Sequence, residues 1–183
     1  MQAEGFSGID GRTSIFDYCG VPAIQAWSNK GKWDGKWLDD EQHELREFYT
    51  TLLNVATKEK ALSEGIMYDL EYAQADGFNR HEHYAYIRHY TPPAQQHKAG
   101  RPKAVPEKEE TVLAVLNFDD KQAQIHVRIP QEAFDHLGIT PKDDEVLFTD
   151  LLTGTEYRGA FCPDRPFVIT LPAWKGALLK AEL

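Results

Sequence analysis

Three tryptophans near the beginning of the chain are its clearest candidates for binding chemistry. Trp27, Trp33 and Trp37 fall in a stretch rich in Gly, Lys and Asp that includes residues 29–37 (NKGKWDGKW), a composition typical of an irregular loop. A flat indole ring can stack on the face of a sugar ring, which makes the three side chains candidate sugar-stacking residues. Alternatively, the rings pin a long loop to the surface beneath it, and the sequence leaves both interpretations open.

The densest group of potential metal ligands is a histidine cluster. His81 and His83 are separated by one residue, which on a strand puts both imidazoles on one face, and His89 follows. No third ligand is fixed by the spacing, so a solvated strand edge is the better explanation. We therefore expect no metal site.

The sequence contains no nucleophile elbow, phosphate-binding loop or Gly-rich dinucleotide turn. Its 29 Asp and Glu residues supply many carboxylates, but only a fold can show which pair faces a cleft. We therefore expect no cofactor, and the sequence assigns no catalytic residue.

The composition excludes several other classes of protein. The 20 Lys and Arg residues against 29 Asp and Glu give a formal net charge of −9, which disfavours a nucleic-acid partner. No apolar run approaches the roughly 20 residues that cross a bilayer, so we expect no membrane partner. The two cysteines, Cys19 and Cys162, have no metal or redox spacing and are predicted to be unpaired, buried thiols.

The elements that would position these residues begin with an amphipathic helix predicted over residues 39–57. Asp39 and Gln42 form the outline of a capping box at its start. A second helical turn is predicted over 59–64 and ended by Gly65. The apolar residues at helical spacing are Leu45, Phe48, Tyr49, Leu52, Leu53 and Ala56.

After Gly65 the apolar pattern changes to the alternation of β-strands, and eight strands predict an antiparallel sandwich. Two of them, 112–118 and 123–129, are separated by 119–122 and predict a hairpin. Residues 91–110 contain four of the ten prolines and predict a mobile loop or an extended hairpin tip. A helical turn closed by Gly138 is predicted after Pro130. The remaining predicted strands are 66–72, 83–90, 145–151, 156–161, 166–171 and 175–182.

Two sets of motifs resemble the alpha-amylase family of glycoside hydrolases. The first set is similar to the loop after the eighth strand of the catalytic barrel and to the eighth helix; the second is similar to the family's C-terminal β-sandwich. The first comprises residues 8–18 (GIDGRTSIFDY), Trp27, 31–35 (GKWDG) and 45–53 (LREFYTTLL). The second comprises residues 113–118 (LAVLNF), 129–130, 149–154 (TDLLTG) and 171–176 (LPAWKG).

This resemblance implies a mainly β chain with two parts. Residues 1–64 would be the remnant of a (β/α)8 barrel, and 65–183 the antiparallel β-sandwich. Asp10, Arg12 and Phe16 would border the substrate cleft of the parent, a retaining glycosidase acting on an α-glucan or maltooligosaccharide.

The family's catalytic carboxylates lie upstream of the matched residues, so none can be carried over and the chain alone is expected to be inactive. Its 39–57 helix would lose the cover that the barrel provides. We therefore expect this fragment to self-associate through that helix.

The main alternative is a stand-alone carbohydrate-binding module. In this interpretation the sandwich presents either the three tryptophans or a row of tyrosines to a glucan. Tyr84, Tyr86 and Tyr90 occupy alternate positions of one predicted strand and would share a face. A domain that only mediates interactions is a third interpretation.

Overall fold

The computed structural model describes residues 22–93 and 108–183. The chain divides into two compact units between Asn54 and Val55, and each unit is described by itself. The predicted division at 64/65 into a barrel remnant and a sandwich domain stays a prediction. No helix among the described residues combines the length and apolar character that a membrane span requires.

The first unit contains α1 (Pro22–Ser28), a 3-10 turn (Asn29–Gly31) and most of α2 (Asp40–Lys58). The predicted capping box forms at the start of α2. The Gln42 amide nitrogen donates to Asp39 Oδ1 at 2.8 Å, and the Asp39 amide donates to Gln42 Oε1 at 3.3 Å. This exchange satisfies backbone donors that have no partner inside the helix. The predicted 39–57 helix is confirmed.

The described part of the second unit, residues 55–93 and 108–183, holds the one-turn helix α3, the helix α4 and eight strands. All eight predicted strands are present, although β1 and β4 are shorter than predicted. Their bounds are α3 (Lys60–Ser63), β1 (Ile66–Asp69), β2 (His83–Tyr90), β3 (Glu110–Asn117), β4 (Ala123–Val127), α4 (Gln131–Leu137), β5 (Lys142–Asp150), β6 (Glu156–Phe161), β7 (Phe167–Leu171) and β8 (Gly176–Ala181); a 3-10 turn (Glu71–Ala73) follows β1.

The strands form two antiparallel sheets, as the predicted sandwich requires. The larger sheet has the order β1-β2-β3-β8-β5-β6, and the smaller pairs β4 with β7. In the larger sheet Leu113 of β3 faces Ile87 on one side and Leu179 on the other. In the smaller sheet Ile125 faces Ile169. All five side chains are buried in one core.

The predicted hairpin between β3 and β4 is wrong, because the two strands lie in different sheets. Both edges of β3 are occupied, by β2 and β8, so no edge is left for β4. The chain passes from the larger sheet to the smaller one after Asn117, which is 1% exposed. The side chain of Asn117 holds this connection in place. Its Oδ1 accepts the amide of Asp119 at 3.0 Å, and its Nδ2 donates to the carbonyls of Lys121 and Pro172 at 2.9 Å.

Four phenylalanines fill the centre of the core, each no more than 1% exposed. Their rings meet edge-on or tilted, with centroids 4.7 Å apart for Phe148 and Phe167 and 5.1 Å for Phe134 and Phe161, which is a favourable range for aromatic pairs. Phe134 comes from α4, the predicted helical turn, which ends at Gly138 with a φ of 71°.

The helix α3 is held on the second unit by charged side chains. Arg88 donates from Nε to the Ala61 carbonyl at 3.1 Å and from Nη2 to the Leu62 carbonyl at 2.9 Å. Glu110 accepts the Ala61 amide at 3.3 Å. Lys180 forms ion pairs with Glu59 at 2.5 Å and Glu110 at 3.3 Å. The predicted turn therefore exists, and its backbone groups are paired with strands β2 and β3.

Some predictions fall on residues that the structure does not describe. The predicted loop 91–110 is described only at 91–93 and 108–110, and Cys19 also lies outside. Cys162 is a buried free thiol, as predicted.

Candidate functional site

The tryptophan loop, residues 27–37, has an unusual backbone. Asn29, Lys30 and Trp33 have φ values of 39°, 58° and 57°, in the left-handed region that non-glycine residues rarely adopt. Such residues persist only where the surrounding structure fixes them. Hydrogen bonds to α1 do so here: the Trp33 amide donates to the Ser28 carbonyl and the Gly35 amide to the Trp27 carbonyl, both at 3.0 Å.

A chain of side-chain hydrogen bonds runs through the same loop. Trp37 donates from its indole Nε1 to Asn29 Oδ1 at 2.6 Å. Asn29 donates from Nδ2 to both carboxylate oxygens of Asp34, at 2.9 and 3.1 Å. The Lys36 amide also donates to Asp34, at 3.1 Å. Asn29 is buried, so the one amide connects an exposed ring to an exposed carboxylate through the interior of the loop.

These bonds set the charge state of Asp34. The hydrogen bond from Asn29, followed by that from the Lys36 backbone, lowers the pKa of Asp34 below its ordinary value of 3.8, because both favour the ionised form. Asp34 is therefore an anion at neutral pH.

The three tryptophans differ in burial and in their contacts. Trp27 is half-buried, meets the Trp33 ring at 5.1 Å and 68°, and has the Arg46 guanidinium 5.4 Å from its ring. Trp33 and Trp37 are 57% and 63% exposed. Trp27 therefore anchors the loop, and the two other rings face solvent. The sequence offered anchoring and sugar stacking as alternatives for the whole group.

The proposed tyrosine row does not form with all three members. Tyr84 and Tyr86 lie half-buried on one side of β2, with centroids 5.8 Å apart. Tyr90 is 7% exposed and packs with Ala61 and Val112 beneath α3. It is therefore unavailable to a ligand.

The histidine cluster also separates. His81 is exposed, whereas His83 and His89 are buried, and burial lowers the pKa of both buried rings. His89 lies between the hydroxyls of Thr111 at 2.8 Å and Thr91 at 3.1 Å. Within residues 22–93 and 108–183, no three His, Cys, Asp or Glu side chains form a group able to hold a metal ion.

The ring of His83 has one orphaned atom. Its Nδ1 accepts the Asn79 amide at 3.0 Å, so the proton lies on Nε2, which has no hydrogen-bond partner. The ring meets Phe78 edge-to-face at 5.5 Å. These contacts make His83 part of the packing at the end of β2.

The predicted cleft-border residues Asp10, Arg12 and Phe16 lie outside the described residues. Sequence reasoning missed Asn29 and Asp34, although both stand beside the tryptophans in the NKGKWDGKW run. A signal was present: Asn is the non-glycine residue best suited to a left-handed position, and Asp-Gly marks a turn.

No protein-family model and no curated protein matches the sequence. Solved structures do resemble its backbone. AmyP in complex with maltose is 15% identical, with a TM-score of 0.51 over 98% of this chain and 29% of AmyP. The noncanonic maltogenic alpha-amylase AmyB from Thermotoga neapolitana is 15% identical, with a TM-score of 0.49 over 80% of this chain and 26% of AmyB.

The alpha-amylase from Geobacillus thermoleovorans, solved with acarbose, is 13% identical, with a TM-score of 0.48 over 83% of this chain and 26% of that enzyme. The chain therefore spans less than a third of each of these proteins. The likeness to these structures is one of fold, and the fold of the described residues is an antiparallel β-sandwich.

Proposed function

We propose that the chain is the C-terminal part of an alpha-amylase-family glycosidase that acts on α-glucans. Residues 65–183 would be the sandwich that braces the catalytic barrel, and 1–64 the end of that barrel. The observation that carries the proposal is the likeness to AmyP, which extends over 98% of this chain but 29% of AmyP. The activity and the substrate class in this proposal are inferred from the sequence motifs that resemble the family.

One of those motifs has a clear structural role. In the TDLLTG run, Asp150 is 2% exposed. Its Oδ1 accepts the amides of Leu152 at 3.2 Å and Leu178 at 3.0 Å, and its Oδ2 accepts the Thr153 hydroxyl at 2.6 Å. The carboxylate thus ties the turn between β5 and β6 to β8. The TDLLTG motif therefore has a structural role within the sandwich.

The exposure of helix α2 also supports the proposal that a barrel belongs to the parent protein. None of its residues is buried, and Phe48, Tyr49 and Leu53 are each about half exposed or more. Apolar side chains at helical spacing are normally covered. In the proposed parent, barrel strands and neighbouring helices would cover them.

Two measurements test this proposal. The chain alone, incubated with maltoheptaose, is expected to release no reducing ends, since the two carboxyl groups of a retaining site must be held about 5 to 5.5 Å apart on a rigid frame. The coding sequence upstream of Met1 is expected to encode a barrel with the catalytic carboxylates. Hydrolysis by the chain alone, or a gene without that barrel, would contradict the proposal.

The second candidate is a stand-alone carbohydrate-binding module, which the exposure of Trp33 and Trp37 favours. The two candidates differ in affinity for sugar. A module should bind maltooligosaccharides with a Kd in the micromolar range, about −8 kcal/mol, whereas the C-terminal part of an enzyme needs no such affinity. Calorimetric titration with maltoheptaose separates them.

A further inference from the structure

We propose that Trp33 and Trp37 form an oligosaccharide-contact surface whose geometry is set by Asn29 and Asp34. In this arrangement Trp27 is a structural anchor, and Asn29 and Asp34 are positioning residues that touch no ligand. The ligand class, a neutral oligosaccharide, rests on the proposed function. The roles of the residues rest on the geometry of the loop.

The contacts of Trp37 leave one surface of its ring for a ligand. Its Nε1–H is taken by Asn29 at 2.6 Å. The Lys36 ammonium lies over the ring, 5.2 Å from its centroid, so a cation of the chain itself covers one face. The ring is nevertheless 63% exposed. The opposite face is therefore the one on which a flat apolar group can stack.

The surroundings of the two rings fit a sugar better than a protein. Lys30, Lys32 and Lys36 are all exposed and alternate with the rings along the loop. A protein partner is typically recognised by a contiguous apolar patch, which these ammonium groups interrupt. A pyranose ring offers C–H groups on its faces and hydroxyl acceptors at its rim, so it can use an indole face and an ammonium donor together.

A polyanion could also be attracted by these lysines, but the neighbouring charges oppose it. Asp34 is ionised at neutral pH, for the reasons given above. The first turn of α2 adds Asp40 and Glu41, and the whole chain carries a net charge of −9. A neutral ligand avoids this repulsion.

The hydrogen bonds from Asp34 through Asn29 to Trp37 fix the ring before any ligand arrives. Asn29 is buried and left-handed, so its amide has one orientation in which both neighbours are satisfied. A pre-ordered ring binds with less loss of conformational entropy than a mobile one. Disturbing Asn29 should therefore weaken binding without removing any group that contacts the sugar.

The first test compares single-tryptophan variants. We expect the unaltered chain to bind maltoheptaose weakly but saturably, with a Kd on the order of 1 mM, in an NMR titration. W33A and W37A should each bind at least about fivefold more weakly, as expected for loss of one stacking contact. W174A is the matched control, because Trp174 is 66% exposed and lies on the second unit; its binding should be unchanged.

The second test uses Asn29 and Asp34. N29D keeps the side-chain shape and the acceptor for Trp37 but turns the amide donor into a carboxylate that faces Asp34. It should weaken binding about as much as W37A and shift the indole N–H resonance of Trp37. The reciprocal exchange N29D/D34N restores one donor and one carboxylate, and should recover both the resonance and the binding.

Several outcomes would overturn the inference. These are saturable binding that W33A and W37A leave unchanged, binding lost equally in W174A, N29D binding like the unaltered chain, or stronger binding of a single-stranded oligonucleotide than of maltoheptaose. No response to maltoheptaose would also overturn it. None of these bears on whether the upstream gene encodes a barrel, so the proposed function can stand or fall separately.

Discussion

The tryptophan loop and the β-sandwich are ordered by different forces. In the sandwich, alternate side chains of eight strands meet in one buried core, and the strand ladders pair the backbone. In the loop, a buried amide, a carboxylate and left-handed backbone fix the chain while two large rings stay in solvent. The apolar residues of the sandwich therefore stabilise its own fold, whereas the exposed rings of Trp33 and Trp37 in the loop are available to a ligand.

The largest effect expected from this comparison is in the sandwich core. Phe148 is fully buried and contacts the rings of Phe161 and Phe167. Phe148→Ala should lower the free energy of unfolding by about 3–5 kcal/mol, measured by urea denaturation. Trp33→Ala is the matched control in the loop and should change it by less than about 1 kcal/mol. Similar losses for the two variants would contradict the contrast between the regions.

A smaller loss is expected where the sandwich depends on a polar group. Asp150→Asn keeps the shape of the side chain and its Oδ1 acceptor, but replaces the oxygen that accepts Thr153 with an amide donor. The free energy of unfolding should fall by about 1–3 kcal/mol, because a buried partner loses its bond. Thr153→Val, read in the same denaturation experiment, should lose less. If Asp150→Asn were as stable as the unaltered chain, the Asp150 carboxylate would not be what holds the turn between β5 and β6 to β8.

The exposed apolar side chains of helix α2 predict self-association. We expect the chain to associate through this helix at concentrations of tens of micromolar, and sedimentation would detect it. Phe48, which is 48% exposed, is the position to change: Phe48→Lys should weaken association several-fold, while Glu47→Lys serves as a charge control on an exposed position of the same helix. A chain that stays monomeric at these concentrations would contradict self-association through the apolar side chains of α2.

The smallest effect is the pH response of the loop. Because the pKa of Asp34 is lowered in the folded loop, its ionisation stabilises the loop above the ordinary carboxyl pKa of 3.8, and this contribution is lost as the pH falls through the lower folded value. The Trp37 indole N–H resonance should therefore shift below about pH 4. Asp34→Asn should remove that dependence, and a pH-dependent shift that persists in this variant would assign it to another group.

The sandwich was predictable because its signal is repeated. Alternation such as that of residues 123–129 recurs in several of the strands, β2 and β7 among them, and each instance depends mainly on local pattern. The capping box of α2 was predictable for the same reason. The pairing of β3 was not, because which sheet a strand joins depends on contacts far apart in sequence, here those with Ile87 and Leu179.

The loop was harder to predict because its order comes from particular hydrogen bonds. The three tryptophans drew attention by type, but nothing in their spacing distinguishes the anchor Trp27 from the exposed Trp33 and Trp37. That distinction depends on the left-handed turn at Asn29 and Lys30. It also depends on the hydrogen bond that the Trp37 indole donates to the Asn29 side chain, eight residues away.

The mass of the native polypeptide that carries this sequence shows whether the chain is part of a larger glycosidase. An antibody raised against the chain would capture that polypeptide from its source, and mass spectrometry would weigh it. Because a (β/α)8 barrel alone takes about 250 residues, we expect a protein at least about twice the 20.8 kDa of this chain, with glucan-hydrolysing activity in the captured material. A native product of 20.8 kDa without that activity would contradict it.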